Sequence, residues 1–160
     1  MGHRRLALLA VTCLCTLAAC STTGAVSRAA VAQQNTAVVL AFLDTVFNRH
    51  EPEQAFKLYV GPYYRQHDPK LEDGAEAAIR ALTQLTRELY PELRQEVKRT
   101  VAQGDLVAVH SRYLRSAAER EQGSGRAAVD IFRLEHGKIV EHWDVVQEVP
   151  ARSENGNTMF

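Results

Sequence analysis

The chain has 160 residues, with 19 basic side chains against 19 acidic ones and no net charge. No basic patch or stripe stands out, which argues against nucleic acid as a partner. After an N-terminal segment is set aside, about 125 residues remain, enough for one domain around one hydrophobic core.

Residues 1–19 read as a secretory signal. His3, Arg4 and Arg5 form a short positive start, and Leu6 to Ala19 is an apolar stretch too short to span a bilayer comfortably. The stretch ends in Leu17-Ala18-Ala19-Cys20, which resembles the lipobox of bacterial lipoproteins. Such proteins are cleaved before the cysteine, which is then acylated. Cys20 is therefore the expected lipidation site, and a lipid-anchored cell-envelope protein is the expected location. Cys13 and Cys15 would leave with the signal, so the mature domain would have no free thiol, which excludes disulfides, thiolate catalysis and Cys-ligated metals. Residues 20–32, rich in Ser, Thr, Gly and Ala, read as the lipidated cysteine and a flexible tether. Loss of Arg4 and Arg5 leaves 17 basic against 19 acidic residues, near −2.

The domain proper is expected over 33–150. Gln33–Asn48 carries Val39, Phe42, Leu43, Val46 and Phe47 at helical spacing. Pro52 sits where a first helical turn tolerates proline, and Pro52–Val60 reads as a second helix, broken by Gly61-Pro62. Tyr63–Pro69 reads as an irregular or short extended piece. Ala75–Tyr90, with Ala78, Ile79, Leu82, Leu85 and Leu89 on one stripe, is a third helix stopped by Pro91. From Leu93 the period changes to two. Strands are predicted at Arg94–Ala102, Leu106–Ser116, Ala127–Leu134 and Ile139–Val149, with a polar loop at Ala117–Gly125. Residues 151–160 read as a disordered tail. Helices followed by a meander predict an α+β domain: a cone-shaped, curved antiparallel sheet with three N-terminal helices enclosing a pocket.

The chemistry concentrates on the last strand. Alternation puts Val140, His142, Asp144 and Val146 on one face, and Ile139, Glu141, Trp143 and Val145 on the other. A carboxylate two residues from an imidazole on one strand face is a proton-transfer pair; otherwise it is a solvated face. Asp130 shares a face with Phe132 and Leu134, where desolvation would suit it to general-base work, unless it sits at the sheet rim. Arg133, on the opposite face, should pair with Glu141 outside. His67 and Gln66 fall in the segment after the second helix and are candidates for the pocket mouth. His110 is a pocket candidate or a satisfied core histidine. Tyr59, Tyr63 and Tyr64 are candidate hydroxyl donors or packing groups. No His-x-x-x-His or Glu-x-x-His spacing occurs, so no metal site is expected. Trp143, Ile139 and Val145 on the outer face suggest a homodimer.

Three segments carry a resemblance: Tyr64-Arg65-Gln66-His67-Asp68-Pro69 with Asp73-Gly74, Val129-Asp130-Ile131-Phe132-Arg133, and Gly137 through Asp144. Together they resemble the SnoaL-like polyketide cyclases of the nuclear-transport-factor-2-like superfamily, over roughly Val38 to Pro150. The resemblance implies cofactor-free and metal-free acid/base chemistry of aldol or isomerase type on a carbonyl compound, with the acid/base role on Asp144 and His142 as its neighbour. The fold is shared by many activities, so two other readings stay open. One is an envelope lipoprotein that binds a small hydrophobic ligand. The other is an epoxide-hydrolase-like enzyme using Asp130, Arg112 and Asp144. If the lipobox reading holds, Cys20→Ala shifts the protein out of the membrane fraction or leaves it unprocessed; unchanged partitioning with an unacylated N-terminus would refute it.

Overall fold

Ser27 caps the first helix, its Oγ accepting the Ala30 N–H at 3.1 Å and satisfying one of the donors that a helix start leaves open. The computed structural model describes residues 27–160; the candidate signal segment and Cys20 lie outside the described residues. Helix α1 (Arg28–Leu43) widens into a π-helical turn at Asp44–Asn48. Arg28–Ala32, expected in the tether, are thus helical. Within that turn Thr45 is buried and donates its hydroxyl to the Ala41 carbonyl at 2.7 Å. By length and composition Arg28–Asn48 is apolar enough to cross a membrane, yet Val39, Phe42, Leu43 and Val46 lie in the core of this domain.

Pro52 opens α2 (Pro52–Tyr59), and the chain then extends as β1 (Val60–Gln66). Helix α3 (Ala75–Thr83) repeats the pattern of α1, running into a π turn at Gln84–Leu89 where Thr86 donates to the Leu82 carbonyl at 2.8 Å. Strands β2 (Arg94–Gln103), β3 (Leu106–Leu114), β4 (Arg126–Glu135) and β5 (Lys138–Glu148) follow. A short helix, α4 (Ala117–Glu121), lies in the β3–β4 connection that reads as loop in the sequence.

The sheet order is β1-β5-β4-β3-β2. The α+β architecture is the expected one, with two refinements: the sheet is not closed, and it is mixed. Strand β1 joins β5 in parallel, with Gln66 level with His142, so the piece read as irregular supplies the fifth strand. Gly61-Pro62 ends the helix without ending the extended chain.

Helices cover one face of the sheet. There the rings of Phe42, Phe56, Phe132 and Tyr64 pack edge to face, with centroids 5.2 to 5.9 Å apart. The β4–β5 register slips between Arg133 and Leu134: Arg133 faces Glu141, whereas Leu134 faces Ile139. Val140 is the extra residue, a bulge that resets the alternation. Ile139 therefore enters the core rather than the outer face, correcting the face expected from strict parity. Residues 151–160 form no helix or strand, and the Phe160 ring rests on the outer face, 5.8 Å from the His110 imidazole.

Gly125, just before β4, has φ +105°, and a Cβ there would sit 2.5 Å from the Tyr113 carbonyl oxygen. Gly137 also has positive φ, at +73°, but its surroundings are open. Gly125→Ala adds a backbone clash to the roughly 1–3 kcal/mol of left-handed strain. It should lower the denaturation midpoint clearly more than Gly137→Ala, which carries the strain alone; equal losses would refute this.

Candidate active site

Between the helices and the inner sheet face lies a cavity of about 540 Å³, within the range of small-molecule sites. Its walls are mostly apolar, with Phe42, Leu82, Leu85 and Phe132 among them. Polar groups enter from β1, β4 and β5. Asp130 lies opposite Asp144, and Phe132 opposite His142, so the four side chains share the inner face. His142, Asp144 and Asp130, the three sequence-predicted catalytic residues, are thus brought to one cavity.

Their hydrogen bonding separates them. His142 Nε2 lies 3.2 Å from Asp130 Oδ1, and its Nδ1 lies 3.1 Å from Gln66 Oε1. The second oxygen of Asp130 accepts the Tyr113 hydroxyl at 3.3 Å. Tyr113 in turn accepts from Gln95 Nε2 at 2.8 Å, and the same nitrogen donates to Ser111 Oγ at 3.1 Å. Asp130 is 3% exposed and held from both sides.

Asp144 differs. It is half-buried, and among the described residues it makes no hydrogen bond and no ion pair. Burial pushes its carboxyl above the ordinary aspartate range; Asp130 adds to the rise, while His142 opposes it. Burial, with the nearby charges of Asp130 and Asp144, also raises the phenols of Tyr64 and Tyr113, which keeps both protonated. At the mouth, Arg126 pairs with Glu148 at 2.6 Å and Arg115 with Glu119 at 2.5 Å.

Gln66 lines this cavity, but the three other predicted contacts do not. The alternation that turns Gln66 inward turns His67 to the outer face. There its Nε2 meets Glu141 Oε1 at 2.8 Å, and its ring stacks on Trp143 at 4.6 Å between centroids. Glu141 also takes Arg133 at 2.7 Å, as expected, and the His67 bond, followed by Arg133, holds its carboxyl below the ordinary range. His110 is likewise outside, because Val109 and Ser111 fill the inner positions of β3; its Nδ1 accepts from Arg99 at 2.8 Å. Tyr59 packs against the core without lining the cavity. Arg112 faces outward and donates to the Ser124 carbonyl at 2.9 Å, so the Asp130-Arg112-Asp144 relay is not assembled.

Tyr113, Gln95 and Ser111 escaped the sequence reading. Tyr113 and Ser111 share the inner face of β3 with Val109, and strand parity is the signal that relates them. Gln95 is placed by strand pairing alone.

A five-stranded curved sheet with helices over one face and a blind cavity between them defines the nuclear-transport-factor-2-like fold. The model of the SnoaL-like polyketide cyclase family matches residues 37–154, and the chain belongs to that family. No curated protein matches it in sequence. Among solved structures it is similar to a Jannaschia sp. CCS1 protein provisionally named a SnoaL-like polyketide cyclase (20% identity over 75% of this chain and 90% of that one, TM-score 0.59). It is also similar to AclR from Streptomyces galilaeus, provisionally named a hydroxylase (22%, 72% and 90%, TM-score 0.60). A third is a Kribbella flavida DSM 17836 protein provisionally named a ketosteroid isomerase (17%, 78% and 85%, TM-score 0.60). These likenesses establish the fold; the differing names leave the activity to the site.

Proposed function

We propose that the protein is a cofactor-independent enzyme of aldol or isomerase type, acting on a carbonyl compound held in the apolar cavity. The observation that carries this is Asp144, a half-buried carboxylate with unspent acceptor capacity in a largely apolar chamber. A general base needs lone pairs directed at substrate and an affinity for protons raised toward working pH. Asp144 has both. In the proposed step its carboxylate takes a proton from the carbon next to the carbonyl, the released electron pair forms an enolate, and the proton returns at the same or a neighbouring atom. His142 and Asp130 supply a fixed charge distribution beside it. Apolar walls favour a second reading, ligand binding without turnover.

The same proposal places the domain in the bacterial envelope, tethered through Cys20, and pairs it with a second copy through the outer sheet face. Support for pairing comes from Val145, 74% exposed, and Val101, 69% exposed, with Leu106, Val129 and Ile131 between them on that face. Val145→Lys should convert a micromolar dimer into a monomer in sedimentation; a parent that already sediments as a monomer refutes the pairing.

Asp144→Asn keeps the shape and removes the base. With a panel of enolisable ketones in deuterium oxide, hydrogen exchange beside the carbonyl should fall at least about a hundredfold, with binding retained. An unchanged rate refutes the mechanism; a parent that binds the ketones without exchanging them favours the second reading. Linkage supplies an independent check. A carboxylate whose folded-state proton affinity is raised destabilises the fold once pH exceeds the unfolded value, and the penalty grows through the folded one. Asp144→Asn should therefore raise Tm at neutral pH, with the gain fading in acid.

A further inference from the structure

Gln66 can be oriented in only one way. Its Oε1 accepts two backbone N–H groups, from His67 at 2.9 Å and Asp68 at 3.0 Å. Turning the amide over would set its NH₂ against both donors. Its Nε2 therefore donates to the Tyr64 hydroxyl oxygen at 3.2 Å.

Two consequences follow from that direction. The Tyr64 oxygen already receives a proton from Gln66, so its own O–H must point elsewhere, and among the described residues no acceptor meets it. Tyr64 is only 7% exposed and lines the cavity. On the other side of the amide, His142 Nδ1 faces an acceptor and must carry a proton. His142 Nε2 and Asp130 Oδ1 then share one further proton, and Asp130 Oδ2 is taken by Tyr113. Both nitrogens of His142 and both oxygens of Asp130 are thus committed to protein partners. On the strands that wall the cavity, two groups keep unspent capacity toward it, the Tyr64 donor and the Asp144 acceptor; Asp68, Lys70, Gln84 and Tyr90 line it from the connections and the helical side.

We infer that Tyr64 is the group that receives the substrate's carbonyl oxygen, and that Gln66 is the positioning residue that aims its proton into the cavity. The inference deepens the acid/base reading of Asp144 and rests on it for the reaction. As Asp144 takes the proton from carbon, the C–H pair becomes the new carbon–carbon π bond and the carbonyl π pair moves to oxygen. Tyr64 stabilises that oxyanion by a hydrogen bond and keeps its own proton. Asp144 then returns its proton to carbon. The ligand class this selects is a largely apolar molecule with one acceptor oxygen directed at β1.

The test compares 2-naphthol, an enolate mimic, with naphthalene, which has the same body without the oxygen, by equilibrium binding across pH. The parent should prefer naphthol, increasingly as the probe ionises. Tyr64→Phe should cut that preference by about tenfold or more while leaving naphthalene affinity unchanged, since a hydrogen bond to a charged oxygen is lost and the cavity is kept. Gln66→Glu keeps the shape and the acceptor for His142, but its carboxylate draws the Tyr64 proton away from the cavity. It should lose the preference too, whereas a merely structural role for Gln66 would leave the ratio and its pH profile alone. Equal preference in parent and Tyr64→Phe overturns the proposal, as does a parent that takes up neither probe or both alike. Failure of the acid/base reading is separate: it would show as no deuterium exchange in the parent, or exchange unchanged in Asp144→Asn, with the naphthol preference intact.

Discussion

The bulge at Val140 governs the site. Without it, strict alternation would place Ile139 and His142 on opposite faces of β5, and one of them would leave the helix-covered side. The extra residue lets Ile139 pack into the core with Leu134 while His142 and Asp144 still face inward beside Phe132 and Asp130. Val140 itself is buried, its side chain close against Gly61 of β1, where a larger residue would crowd it. One slip in register thus serves the core and the cavity together.

Within that frame, a single amide sets the polarity of the cavity. Backbone N–H groups of His67 and Asp68 fix Gln66, and the hydrogen-bond chain passes outward from it to Tyr64 on one side and to His142, Asp130 and Tyr113 on the other. A buried polar network of this kind is stable only when its members are satisfied, and no buried side-chain nitrogen or oxygen among the described residues lacks a partner. Asp144 escapes that requirement because its carboxylate opens into the cavity. Its burial without partners costs stability once the carboxyl ionises.

The outer face follows a different logic. His67, Arg65 and Arg133 meet at the Glu141 carboxylate while the His67 ring stacks on Trp143, and these contacts fasten β1 to β5 from outside. His67 is thus a clamp across the parallel strand pair whose backbone N–H also meets the His142 carbonyl at 3.0 Å. It supports the site through the backbone without entering the cavity. Farther along that face, Phe160 lies against His110 with Lys98 and Arg112 around its ring, so the end of the chain covers part of the sheet.

Hydrophobic periodicity by itself determined the three helices, the four later strands and the shared face of His142 and Asp144, while the pairing of β4 with β5 brought Asp130 beside them. Those signals are local: each depends on residues a few positions apart on one element. The spaced segments around Gln66, Asp130 and Asp144 also carried the family. Only the tertiary structure decided that β1 is a strand, because a parallel edge strand depends on a partner more than seventy residues away. It alone turned His67 and His110 outward, moved Ile139 into the core and left Arg112 remote from the two aspartates. Strand pairing, bulges and cross-strand hydrogen bonds fix such outcomes, and these join residues that the linear pattern does not relate.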